Sequence, residues 1–318
     1  GSSLSYGSGN SLAQPPTPPA NTKLLGLNGA TFNVGTDTVS VDNIATTTRS
    51  TGNAWDFAQD YVSLPSGFST GLAGTDVVTY SLWFNTDEWS TSQGNGWDLI
   101  GSYGSTTGSN LADYQGLGIN YWYDGNFYVY PEYHGSFSGN SYGGISNTNL
   151  GATATGTWYH MTIVYDGTQT GNAERLKIYL DGTQKTWDSF QANAVPSTIS
   201  YGSVSNNWIG KPSYSTSYQH DFNGKIDDVI IYKNALSDSQ VTELYQTGSV
   251  SALSPYAHYN FEQTSGNLLD QTSNNYDGTN NGATQTATGT SVAYSASSNI
   301  VSATGLTDNT STPQHYTI

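Results

Sequence analysis

The sequence predicts an all-β protein, and two observations carry that prediction. From Thr22 onward, short runs of β-branched and aromatic residues recur between clusters of Gly, Asn, Asp and Ser, the pattern of antiparallel strands joined by tight turns. About ten such runs fall within roughly 225 residues, which points to a sandwich or barrel rather than to a fold of alternating strands and helices.

Taken in order, residues 1–21 are rich in Ser, Gly and Pro, and Pro15, Pro16, Pro18 and Pro19 favour an extended arm or linker. Candidate strands follow at Lys23–Leu27, Ala54–Val62, Val77–Asn85, Trp97–Ser102, Leu117–Tyr123 and Asn126–Tyr130. The series continues at Thr157–Asp166, Glu174–Asp181, Asn207–Gly210 and Gly224–Tyr232. Asp124-Gly125 and Asp181-Gly182 have the turn chemistry of tight hairpins. One short helix is expected at Ser237–Gln246. Ser237 and Gln240 form a capping box, Leu236 and Val241 occupy the positions of a hydrophobic staple, and Gly248 supplies the stop.

Composition narrows the function classes. Eight basic residues against 24 acidic ones give a formal net charge of −16, so a nucleic-acid duplex or an anionic lipid surface is repelled. Only 10% of residues are charged, so hydroxyl and amide groups carry solubility, as in exported β proteins. The chain contains no cysteine, which removes disulfides, thiolate metal sites and a cysteine nucleophile. No apolar run approaches the length of a membrane span, and no signal peptide is recognisable. Direct membrane insertion is not expected, and an extracellular location is: secreted, cell-surface or virion-surface.

The stretch Phe222-Asn223-Gly224-Lys225-Ile226-Asp227-Asp228-Val229-Ile230-Ile231-Tyr232, with the helix ending in Glu243-Leu244-Tyr245, resembles the last strand and terminal helix of laminin-G-like domains. These are the bacterial, archaeal and phage type of the concanavalin A-like lectin/glucanase superfamily. Trp55-Asp56-Phe57, Tyr80-Ser81-Leu82-Trp83-Phe84, Gly156-Thr157-Trp158-Tyr159-His160, Ile178-Tyr179-Leu180-Asp181-Gly182 and Trp208-Ile209-Gly210 fall in the family's order. The resemblance covers residues 22–248 and implies a jelly-roll β-sandwich of two curved antiparallel sheets.

A second resemblance begins where the first ends. Tyr256-Ala257-His258-Tyr259-Asn260-Phe261-Glu262, Leu269-Asp270 and Asn274–Thr284 look like the opening strands of another such domain. Residues 249–318 are therefore expected to form a partial second β unit, a small C-terminal appendage. Too short to close a sandwich, it needs cover for its open edges. It packs on the first domain, adds to a sheet of a neighbouring copy, or belongs to a longer repeat protein. Tyr256, Tyr259, Phe261 and Tyr276 are the assembly candidates.

Catalysis finds little support. Enzymes of this superfamily that cut β-glucans place carboxylates at alternate positions on one strand, roughly 5–5.5 Å apart, as nucleophile and acid/base. Here Glu88, Glu132, Glu174, Glu243 and Glu262 lie far apart in sequence, and no Glu-x-Asp occurs. Asp227-Asp228 are strand neighbours that point to opposite faces. The five histidines show no ligand spacing. The family resemblance implies a frequent Ca²⁺ site of carboxylates and backbone carbonyls near the sandwich rim, for which Asp60, with Asp227 or Asp228, is the candidate set, and Asp181 a weaker fourth because its Asp-Gly turn already explains it. No organic cofactor is indicated.

Sugar binding requires an exposed aromatic platform with polar groups around it. The richest source is Tyr121, Tyr123, Tyr128, Tyr130 and Tyr133, to which Trp89, Trp187 and Tyr218 add aromatic residues at strand ends. The expected function is a noncatalytic module for adhesion or recognition, with glycans on a cell or virion surface as partners. The alternatives are a filament, sheath or virion subunit that binds copies of itself through the C-terminal segment, and a polysaccharide-active enzyme or its accessory module.

Overall fold

The computed structural model describes residues 31–34, 37–42, 53–89, 96–104, 116–132, 141–190, 194–199, 201, 204–211, 221–251, 253–286 and 300–304. The first elements in chain order are β1 (Thr31–Val34), β2 (Asp37–Asp42), β3 (Ala54–Ala58), β4 (Tyr61–Leu64), α1 (Ser66–Leu72), β5 (Val77–Thr86), β6 (Gly96–Gly104) and β7 (Gly118–Trp122). Next come β8 (Asn126–Glu132), β9 (Ser141–Ser146), α2 (Asn147–Leu150), β10 (Trp158–Asp166), α3 (Asn172–Arg175), β11 (Leu176–Leu180), β12 (Thr183–Lys185) and β13 (Ser189–Phe190). The last are β14 (Val204–Ile209), β15 (Asn223–Tyr232), α4 (Asp238–Thr247), β16 (Ala257–Tyr259), β17 (Thr279–Asn281), β18 (Thr284–Thr286) and β19 (Ile300–Thr304).

These elements belong to two compact units. One spans Thr46–Ala296; the other combines Gly1–Ala45 with Ser297–Ile318, and its described part is an antiparallel sheet in the order β1-β2-β19. The larger unit is a jelly-roll sandwich of two eight-stranded antiparallel sheets. The first sheet runs β12-β11-β10-β5-β15-β3-β18, with β16 also on β15, and the second runs β13-β9-β8-β7-β6-β14-β4-β17.

Alternation explains the interior. On β5, Val78, Tyr80, Leu82 and Phe84 enter the core between the sheets, where they meet Trp55, Phe57, Trp97, Tyr121, Phe127 and Tyr165. The intervening Thr79, Ser81 and Trp83 are buried too, on the far side of the sheet. There α4 closes a second cluster of Val164, Tyr179, Ile230, Tyr232, Leu236, Val241, Leu244 and Val250, and Tyr245 stacks on Trp83 at 5.6 Å. The helix begins and ends as its sequence dictates: Ser237 and Gln240 form the reciprocal capping box, and Gly248 takes the left-handed conformation at φ 74°.

Two expected strands change. Ala54–Val62 breaks at Gln59, whose φ is +67°, so that β3 joins the first sheet and β4 the second. Glu174 and Arg175 belong to the one-turn α3, and the strand begins at Leu176. Lys23–Leu27 lies outside the described residues. The Asp181-Gly182 hairpin has both central residues at positive φ, 50° and 73°, the geometry that suits a right-twisted two-residue turn.

The larger unit runs on past residue 248 to Ala296, and of the courses open to the C-terminal segment its described strands take the first, packing on the sandwich that precedes them. Residues 253–286 act as a strap across both sheets of the same sandwich: β16 pairs with β15, β17 with β4 and β18 with β3. These three short strands, last in the sandwich's chain order, complete the two sheets that precede them. The four assembly candidates are correspondingly internal. Phe261 meets Trp55 edge-on at 5.6 Å, Tyr256 donates to the Phe68 carbonyl at 2.6 Å, and Tyr259 donates to the Tyr276 carbonyl at 2.7 Å. Tyr276, partly buried, packs edge-on against Phe68 at 6.2 Å. Exposing these rings to a neighbouring copy would open the core of their own.

Candidate carbohydrate-binding site

Three chain segments meet at the end of the sandwich where β3 turns into β4. The Phe222 N–H donates to the Gly210 carbonyl at 2.8 Å, and the Gln59 N–H donates to the Phe222 carbonyl at 3.3 Å. Asp60, Lys211 and Asp221 each lie next to one of these bonded residues, so the backbone gathers them at one corner. Burial raises the Asp221 carboxyl above its ordinary range; Lys211 opposes that rise and Asp60 adds to it.

Two aromatic rings adjoin this charged group. In β4 and β14 the alternate residues Val62, Leu64 and Ile209 enter the core, leaving Tyr61, Ser63 and Trp208 on the outer face, partly exposed. Trp208 pairs with Ser63 across the strands, and its ring meets Tyr61 at 5.9 Å and 68°. The Lys211 ammonium stands 4.1 Å from the Tyr61 ring centre and 5.4 Å from that of Trp208, within cation–π range. Asn281 of β17 donates to the Ser63 hydroxyl at 3.1 Å. Beside it the Gly282 backbone, at φ 110°, passes so close to Asp60 that a Cβ there would lie 2.0 Å from a carboxylate oxygen.

Such a corner has the parts a sugar needs. A partly exposed ring pair can take the apolar face of a pyranose, while an ammonium, carboxylates and an amide can engage its hydroxyls. Of these residues only Asp60 is a site candidate from sequence, as a metal ligand, and neither ring is among the aromatic candidates. The signal for Tyr61 and Trp208 was the alternation in Tyr61-Val62-Ser63-Leu64 and Asn207-Trp208-Ile209.

The sequence candidates fare differently. Tyr121 is 2% exposed and stacks on Trp97 at 4.9 Å, and Tyr130 is also buried. Trp187 donates to the Leu176 carbonyl at 2.8 Å and packs over Gly143. Core packing claims all three. Trp89 leans on the same core, 5.0 Å from Tyr121. Tyr123 and Tyr128 remain partly exposed at the β7–β8 hairpin, where the Tyr128 hydroxyl donates to Asp124 at 2.5 Å. Tyr133 and Tyr218 lie outside the described residues.

The four candidate metal ligands do not converge. Asp181 accepts from the His160 N–H at 2.9 Å, Asp228 meets the His258 imidazole at 2.6 Å, Asp227 is buried in β15, and Asp60 sits at the corner. Among the described residues no three His, Cys, Asp or Glu side chains gather in one place. A serine–histidine contact among the described residues joins Ser81 to the His160 Nε2 at 2.7 Å. It is ill suited to catalysis: burial pulls the imidazole down to about 3, and Nδ1 has no hydrogen-bond partner to orient it.

The Laminin_G_3 family of the concanavalin A-like lectin/glucanases superfamily matches residues 56–242. The match takes in more than half of the chain, and the chain belongs to this family. Among solved structures, a candidate carbohydrate-binding protein from Bacteroides ovatus is similar with a TM-score of 0.54 at 17% identity, over 77% of this chain and 62% of that one. The chain thus spans less than two thirds of that protein, and at this identity the likeness is one of fold.

More distant are a SAP-like pentraxin from Limulus polyphemus (TM-score 0.40, 13% identity, 76% of this chain and 92% of that one) and a sialidase CBM40. The latter, from Ruminococcus gnavus IT-sialidase bound to α2,3-sialyllactose, has a TM-score of 0.39 at 17% identity, over 62% of this chain and 94% of that one. No curated protein matches the sequence.

Proposed function

We propose that this chain is a noncatalytic, extracellular recognition module that binds carbohydrate at the Tyr61–Trp208–Lys211 corner. The observation that carries the reading is the tilted, partly exposed ring pair beneath the Lys211 ammonium, on the outer face of a lectin-type sandwich. The carbohydrate-binding description of the similar Bacteroides protein agrees with it. An assembly role through Tyr256, Tyr259, Phe261 and Tyr276 has less support, because those side chains serve the chain's own core.

A glycan array probed with the full chain, and with Trp208→Ala and Tyr61→Ala variants whose folding is checked by circular dichroism, tests the proposal. At least one glycan class is expected to bind, with roughly tenfold or greater loss in each variant, as for other aromatic hot spots. The reading fails if no glycan binds, or if both variants bind like the parent chain.

A further inference from the structure

We infer that the glycan taken by this corner is neutral rather than carboxylated or sulfated, an inference that rests on the reading of the corner as a sugar site. Local charge is the first reason. Among the described residues, backbone bonds at Gly210, Phe222 and Gln59 bring two carboxylates, Asp60 and Asp221, beside one ammonium, Lys211. A sugar stacked on Tyr61 and Trp208 therefore meets a corner with an excess of negative charge.

Lys211 does not offset that excess for an incoming anion. Its ammonium already stands over two aromatic faces, at 4.1 and 5.4 Å, and acts on Asp221. A ligand carboxylate or sulfate would compete with these and face two like charges at once. Over the chain as a whole 24 acidic residues face 8 basic ones, and beyond a screening length of about 8 Å charges fade in physiological salt.

Neutral sugar hydroxyls suit the same groups. Each hydroxyl both donates and accepts, so neighbouring hydroxyls on one ring can give hydrogen bonds to Asp60 or Asp221 and take one from Lys211. The mixed pair thus selects for polyols, while the tilted rings select for a sugar face.

The test is a binding titration of the full chain with neutral oligosaccharides (glucans, galactans and mannans) and with uronic-acid, sialylated and sulfated oligosaccharides of matched length, at low and high salt. The expected result is at least tenfold tighter binding of a neutral series, little changed between about 20 and 500 mM salt because no ion pair is formed. Asp221→Asn should narrow the gap by improving acidic ligands. Binding of acidic glycans through Trp208, weakening with salt, would overturn the inference while leaving the proposed function intact. Absence of all binding, or binding indifferent to both Trp208→Ala and Lys211→Met, would instead remove the site itself.

Discussion

Replacing Phe261 by alanine asks whether residues 253–286 belong to the sandwich or form a separate partial domain. Phe261 is fully buried, with the Trp55 ring at 5.6 Å and the Phe57 ring at 6.4 Å, so its loss leaves a void between the strap and β3. Truncations of this kind cost about 3–5 kcal/mol. The backbone returns none of that, since Phe261 lies at φ 53° and alanine is no easier to hold there.

For a unit of this size each kcal/mol is worth about 2–4 °C, so the Tm should fall by roughly 6–20 °C. Scanning calorimetry of the full chain reads the shift directly, with Phe261→Leu as a milder comparison. A fall of less than about 3 °C in the main transition would refute the reasoning, because the strap would then be dispensable to the sandwich it closes.

Other consequences follow from single groups. His160 stays neutral in the fold, so as pH falls from about 6.5 toward 3 the unfolded chain takes up its proton first and stability declines. Urea titrations at pH 7 and pH 4 should show the parent chain losing about 3 kcal/mol more than His160→Gln over that interval. Tyr201→Phe strands the Tyr80 hydroxyl, now 3.0 Å from its partner, and the Leu117 N–H; a loss of about 1–3 kcal/mol by denaturant unfolding is expected. Ser237→Ala removes the acceptor for the Gln240 N–H and should cost about 1 kcal/mol by the same measurement.

Much of the fold was legible because alternation and turn chemistry act locally. Val77–Asn85, Thr157–Asp166 and Gly224–Tyr232 are strands within a residue or so of their expected bounds, and α4 follows its caps. The break at Gln59 was hidden because a left-handed glutamine leaves no mark in sequence. The strap's strands were recognisable, but which sheets they would join is a tertiary matter that sequence order cannot supply.

The site was harder to read for two physical reasons. Aromatic density around Tyr121 signals core as readily as lectin surface, and here Trp97, Tyr121 and Phe127 spend it on packing. Lys211 and Asp60, by contrast, are some 150 positions apart and meet only through backbone bonds around Phe222.

The late position of the strap also bears on how the site is presented. Because β18 pairs with β3 in the register Thr286↔Ala54, the last described residue of the strap lies beside the first residue of β3. The aromatic corner lies past the other end of that strand, where Gln59 and Asp60 make the turn, roughly 15 Å further on at 3.3 Å per residue. Ala54 and Thr286 thus stand at one end of β3 and the ring pair past the other, so the strap's last residues brace the end of β3 opposite the corner and leave Tyr61 and Trp208 on an outer face.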